Sequence, residues 1–189
     1  IALDFETRLV EGLEPKFQAE MVLLQKLKAE ETGNPDATVK LWDMRYYKNK
    51  LKKTHYHVDT EKLKVYFELN NVLSGMFDIF EEIFRLNIEA VEPGYKWVDD
   101  LRLYAVSDSE TSEPLGLIYM DLFPRENKYG HVAQFGVTTG KLLSNGEYQR
   151  PVVALICNFP PATEDKPSLL KHSDVETLFH EFGHALHSV

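Results

Sequence analysis

Residues 172–189 read HSDVETLFHEFGHALHSV, and the rest of the chain is best understood outward from this stretch. Val175, Leu178, Phe179, Phe182, Ala185, Leu186 and Val189 recur at steps of three and four, which places them on one side of an α-helix. His180, His184 and His187 fall on the opposite side with Thr177. A helix face turned to solvent ordinarily carries lysine and glutamate, whereas this one carries imidazole. Ser173 followed three residues later by Glu176 fits a capping box at the start of the helix. Asp174 and Glu176 also suit its positive end.

His180, Glu181 and His184 form the pattern H-E-x-x-H. Residues i and i+4 stand one above the other, about 6 Å apart along the axis, so their imidazoles can converge on one zinc ion. The Zn–N distances would be about 2.0–2.1 Å. Glu181 projects to the side of the first ligand. There it can take the proton from a zinc-polarised water and return it to a leaving amine. The pattern points to His180 and His184 as metal ligands and Glu181 as general base of a zinc-dependent peptide hydrolase. His187 cannot share the ion, because seven residues span about 10 Å of straight helix. The longer pattern H-E-x-x-H-x-x-G-x-x-H also fails, since His187 stands where glycine is required. A working site of this kind needs a third protein ligand.

The 189 residues suffice for one domain or one large lobe, and 43% hydrophobic with 27% charged residues is ordinary for a globular chain. A net charge of −9 argues against nucleic acid as a partner, since phosphate contacts need a basic face. The basic run KNKLKK at residues 48–53 reads as a solvated helix face. Cys157 is the only cysteine and sits in an apolar run, which rules out an internal disulfide and leaves no group to activate its thiol. No apolar stretch approaches the roughly 20 residues needed to cross a bilayer.

The first half of the chain reads as helices. From Lys16, Phe17, Met21, Leu24 and Leu27 keep helical spacing until ETGNPD (residues 31–36) stops them. VKLWDMRYYKNKLKK reads as a second helix, and Asp59 as the N-cap of another. Leu69, Val72, Leu73, Met76, Phe80, Ile83 and Phe84 then trace an apolar stripe that belongs to a core. VEPGYKW (residues 91–97) breaks this pattern. LRLYAV, LGLIYMDLF, HVAQFGV and RPVVALICNF follow as strands, separated by the turn-formers SDSETSEP, PRENKYG and LLSNGEYQ. The expected class is α+β and mainly helical, with helices, a small, mostly antiparallel sheet, and then the histidine helix. The expected division is a helical segment at residues 1–92 and a sheet-plus-helix segment at 93–189. Residues 154–158, one loop from the histidine helix, are expected to form an open sheet edge on which a peptide could lie as an added strand, or else an ordinary buried strand.

LGLIYMDLFPRENKYGH, RPVVALICNFPP and PSLLKHSDVETLFHEFGHALHS resemble, in order and spacing, the thimet oligopeptidase family, with bacterial oligopeptidase A and peptidyl-dipeptidase. The upstream helical run is similar as well, so the resemblance covers nearly the whole chain. Val98 departs from it, standing where the family often has histidine. The resemblance implies a zinc metalloendopeptidase that cuts short peptides in a channel between two mostly helical lobes. It carries over His180 and His184 as Zn2+ ligands and Glu181 as general base. It further implies that the third ligand is a glutamate on a later helix beyond Val189, and that the chain is an internal piece of a larger protein. Such a piece alone would be inactive, and its uncovered apolar surface would favour self-association or a companion chain. Short peptides are the implied partners, with no membrane, and the cytosol the implied compartment, with the mitochondrial matrix as alternative. A peptidyl-dipeptidase, or a non-catalytic helical interaction module with incidental histidines, is the competing reading.

Overall fold

A 31-residue helix, α1 (Ala2–Thr32), opens the computed structural model, which describes residues 1–189. It begins well before Lys16 and continues through Pro15. Gly33, at φ 66°, ends it in the left-handed conformation that glycine adopts without a Cβ penalty. After a short 3-10 turn at Leu41–Asp43 comes α2 (Met44–His55). Leu24 of α1 and Tyr47 of α2 are the buried apolar side chains here, and polar links add to them. Lys28 pairs with Asp43 at 2.5 Å, while Glu31 accepts from Tyr46 at 2.6 Å and pairs with Lys50 at 3.2 Å. These residues belong to one compact unit, Ile1–Asp59.

The second unit, Thr60–Val189, starts with the short α3 (Thr60–Leu63), directly after Asp59. Next is α4 (Leu69–Phe84), capped by the Glu68 carboxylate, which accepts the Asn71 N–H at 2.9 Å. Five strands form the main sheet: β1 (Leu86–Val91), β2 (Arg102–Asp108), β3 (Pro114–Asp121), β4 (Ala133–Thr138) and β7 (Val152–Ile156). Between β4 and β7, the two-residue strands β5 (Lys141–Leu142) and β6 (Tyr148–Gln149) make a separate hairpin. The last element is α5 (His172–Ser188).

The sheet order is β1-β2-β3-β7-β4, with every pairing antiparallel except β3 with β7. The sheet is therefore mixed. A mostly antiparallel sheet was expected from the short polar connections, and the one parallel pairing arises because the chain leaves β3, forms β4 and the hairpin, and re-enters beside β3 in the same direction. This placement overturns the expected edge role of residues 154–158. Strand β7 is paired on both sides, and beyond it Cys157 N–H still donates to the Asp121 carbonyl at 2.8 Å. The open edges are β1 and β4.

Register explains the core. Tyr104, Ile118 and Val153 lie in one cross-strand row and Met120 and Leu155 in another, all facing the same side. With them pack Leu69, Leu73 and Met76 of α4 and Leu178, Phe182 and Ala185 of α5, all buried. The α4 stripe is thus core over its first half, while Ile83 and Phe84 at its far end are exposed. Leu103, Tyr119, Ala154 and Phe135 form the matching row on the opposite face, where the Trp97 ring lies 5.1 Å from that of Tyr119. Packing divides the chain at residues 59/60, upstream of the change in residue character near residue 92, because α4 shares its core with the sheet.

Candidate metal centre and the adjoining sheet edge

Helix α5 starts two residues earlier than its sequence suggested. Lys171 is the N-cap, and its N–H donates to the Asp174 carboxylate at 2.8 Å. Ser173 lies inside the helix, where its carbonyl accepts from the Thr177 hydroxyl at 2.8 Å. The reach-back carboxylate is Asp174, not Glu176, which correspondingly stands 3.4 Å from His172 Nδ1. Downstream, Leu178, Phe182 and Ala185 bury one face completely, and this fixes the rotation of the other.

On that other face His180 and His184 are exposed, with ring centroids 4.7 Å apart and planes at 82°. Their Nε2 atoms face each other at 3.1 Å. Two nitrogens about 2.0–2.1 Å from one tetrahedral centre lie roughly 3.3 Å apart, so the pair fits a zinc ion with little adjustment. No third His, Cys, Asp or Glu joins them, so the chain supplies two donors and no complete cluster. His187 is exposed as well, and with Phe80, Phe84, Leu86, Gly183 and Leu186 it lines an open cavity of about 510 Å³. It has no part in the imidazole pair.

Glu181 is half-buried, and its Oε2 accepts the backbone N–H of Gln134 in β4 at 3.1 Å. In an antiparallel ladder a residue's N–H and C=O point to the same side of its strand. Gln134 spends its N–H on Glu181, so its polar groups turn out of the ladder with β7, and those of Gly136, two residues on, turn with them. The Glu181 carboxylate therefore sits at the open edge of the sheet, one residue along α5 from the first imidazole.

The turn-former PRENKYG at residues 124–130 leads to that edge, and a buried ionic cluster anchors it. Asp121, at the end of β3, is only 1% exposed. Arg125 grips it with two bonds of 2.8 Å, Trp97 Nε1 donates at 2.9 Å, and Lys128 Nζ lies 2.8 Å from Oδ1. Burial would raise the Asp121 carboxyl, but the bonds from Arg125, Lys128 and Trp97 outweigh it and hold the pKa down at about 2. Lys128 also donates to the carbonyls of Asp121, Phe123 and Cys157, at 3.0, 2.5 and 2.5 Å, tying the end of β3 to the end of β7. Asn158 Nδ2 holds the same loop through the Tyr129 and His131 carbonyls, at 2.9 and 3.1 Å. Cys157 is fully buried, and burial pushes its thiol up to about 12 against the opposing field of Lys128, which leaves it inert as a nucleophile.

A sheet edge is thus held against a helix that presents paired imidazoles and a carboxylate. The model of peptidase family M3 matches residues 2–189, and the chain belongs to that family. It is 39% identical to saccharolysin of Saccharomyces cerevisiae over 99% of this chain and 28% of that protein. Mitochondrial intermediate peptidase of Arabidopsis thaliana is 35% identical over 100% of this chain and 27% of its own length. For oligopeptidase A of Escherichia coli the identity is 34%, over 98% and 27%. The chain thus spans little more than a quarter of the length of these relatives. No helix is long and apolar enough to cross a membrane.

Proposed function

We propose that the longer protein to which these residues belong is a zinc-dependent oligopeptidase, in which His180 and His184 hold the metal and Glu181 is the general base. The observation that carries the proposal is the 3.1 Å approach of the two Nε2 atoms beside a carboxylate anchored at a sheet edge. A zinc ion held there would acidify a water and polarise a peptide carbonyl. The third donor, a glutamate by what the resemblance implies, would come from a part of the protein outside residues 1–189.

The chain's own residues have definable tasks. The Gln134 carbonyl and the Gly136 backbone groups face outward, so a substrate in extended form can pair with β4 through its main chain, which suits peptides of varied sequence. Glu181 lies at that edge, where it takes a proton from the attacking water and delivers it to the leaving amine. The Gln134 N–H holds the carboxylate at that edge. The substrates we propose are short peptides, and the compartment the cytosol, with the mitochondrial matrix as alternative. Two lobes around a channel remain part of the proposal.

The test is hydrolysis of short internally quenched peptides by the full-length protein and its Glu181→Gln variant. Zinc content should be equal in the two, and turnover in the variant lower by about 10²–10⁴-fold, the usual contribution of a general base. Equal turnover would exclude the role of Glu181. Product analysis separates internal cleavage from stepwise release of C-terminal dipeptides, and a metal-free, inactive parent would favour an interaction module.

A further inference from the structure

The far-face row Leu103, Tyr119, Ala154, Phe135 ends at the open edge, on the side of the sheet turned away from α5. Phe135 should gain nothing by standing there, and it is 44% exposed. It is not alone. The Tyr129 ring meets it edge-on, with centroids 5.5 Å apart and planes at 84°, and the His131 ring also lies 5.5 Å from Tyr129. This wall is held from beneath. Lys128, next in sequence to Tyr129, is only 3% exposed, and the backbone carbonyls of Tyr129 and His131 are both taken by Asn158. An aromatic pair at a strand edge, fixed from behind by a buried lysine and an asparagine, is preorganised, and its ordering cost is met before anything binds.

Its position relative to β4 says what it could bind. Gln134 and Gly136 turn their polar groups to the edge, whereas the Phe135 groups point back into the ladder with β7. On a strand added to that edge, the residue opposite Phe135 puts its side chain on the Phe135 face, with Cβ atoms about 4.5–5.5 Å apart. Its neighbours in the peptide put theirs on the α5 face, toward Glu181 and the imidazoles.

We infer that the Tyr129–Phe135 pair receives an apolar or aromatic side chain of the bound peptide, from the residue next to the one lying against Gln134 and Glu181. The inference rests on the proposed peptidase reading and extends it from backbone recognition to a side-chain preference. Continuity with the β4 edge sets the occupant as a peptide side chain. The exposed apolar rings set its chemistry, since the surface of Phe135 and the Tyr129 ring is relieved of water by an apolar or aromatic side chain laid against it.

The experiment uses the full-length protein and peptides identical except for Phe or Ser at each position flanking the cleaved bond. The wild type should prefer Phe at one of these positions. Phe135→Ala and Tyr129→Ala should each lower that Phe/Ser ratio of kcat/KM by about tenfold or more, the usual discrimination of an apolar pocket. Phe135→Leu, which keeps apolar bulk, should retain more of the ratio than Phe135→Ala and guards against a variant that fails to fold. Val91→Ala on the opposite edge strand should leave the ratio alone. A ratio unchanged in both aromatic variants, or an equal fall at every position, overturns the inference while leaving the peptidase reading intact. If the wild type cuts none of the peptides, both fall together.

Discussion

Glu181 accepts the Gln134 N–H, and that bond converts a helix residue into an edge residue of the sheet. The other consequential residue, Asp121, lies in the interior. Its folded pKa of about 2 is below the ordinary aspartate value of about 3.9, so the cluster stabilises the fold above roughly pH 4. That contribution, on the order of 2 kcal/mol, should fade as pH falls from about 4 to 2. Acid titration followed by tryptophan fluorescence should register this window, because Trp97 donates directly to Asp121. Asp121→Asn should remove the window and leave Lys128 buried without its counter-ion, at a cost of about 3–5 kcal/mol in urea unfolding. A variant within 1 kcal/mol of wild type would show that the cluster is energetically idle. His180, Glu181 and His184 were readable in the sequence because their spacing is local to one helix. Asp121 with Trp97, and Gln134 with Glu181, were not, since those partners lie 24 and 47 residues apart.

At the scale of elements, periodicity found α4, the strands and α5, because each buries one face. It mistook the start of α5, where Ser173 offered a plausible cap but Asp174 reaches back to Lys171 instead. It missed β1, whose LNIEAV follows the α4 stripe without a break, and the β5–β6 hairpin, whose strands are two residues each. The parallel β3–β7 pairing was hidden because nothing local distinguishes a strand that returns beside an earlier one. Two glycines test the packing in opposite directions. A Cβ on Gly183 in α5 would meet nothing within 4 Å, so Gly183→Ala should stabilise this chain by about 0.5–1 kcal/mol through helix propensity. A Cβ on Gly116 would stand 2.8 Å from the Pro151 carbonyl oxygen and from Val189, so Gly116→Ala should destabilise by about 1–3 kcal/mol. Thermal unfolding of the two variants should therefore shift in opposite senses, and shifts of the same sign would contradict this account of α5 and β3.

For the whole molecule, the change from helical to strand-rich character was visible near residue 92, but the compact unit begins at Thr60. Residue character reports local conformation, whereas packing follows the α4 face that the sheet covers. Residues 1–189 supply two imidazoles without a third donor, so the chain by itself should bind zinc much more weakly than the full-length protein, and should cut peptides negligibly. Isothermal titration of both forms would check this. The exposed Ile79, Ile83 and Phe84 of α4 further predict self-association of the 189-residue chain, readable by light scattering as a mass above the monomer. The most direct measurement of the central claim is zinc stoichiometry in the full-length protein and its His180→Ala, His184→Ala and Glu181→Gln variants. The imidazole pair predicts one zinc per chain in wild type and Glu181→Gln, and loss of the metal in both histidine variants. Full zinc occupancy in either histidine variant would contradict it.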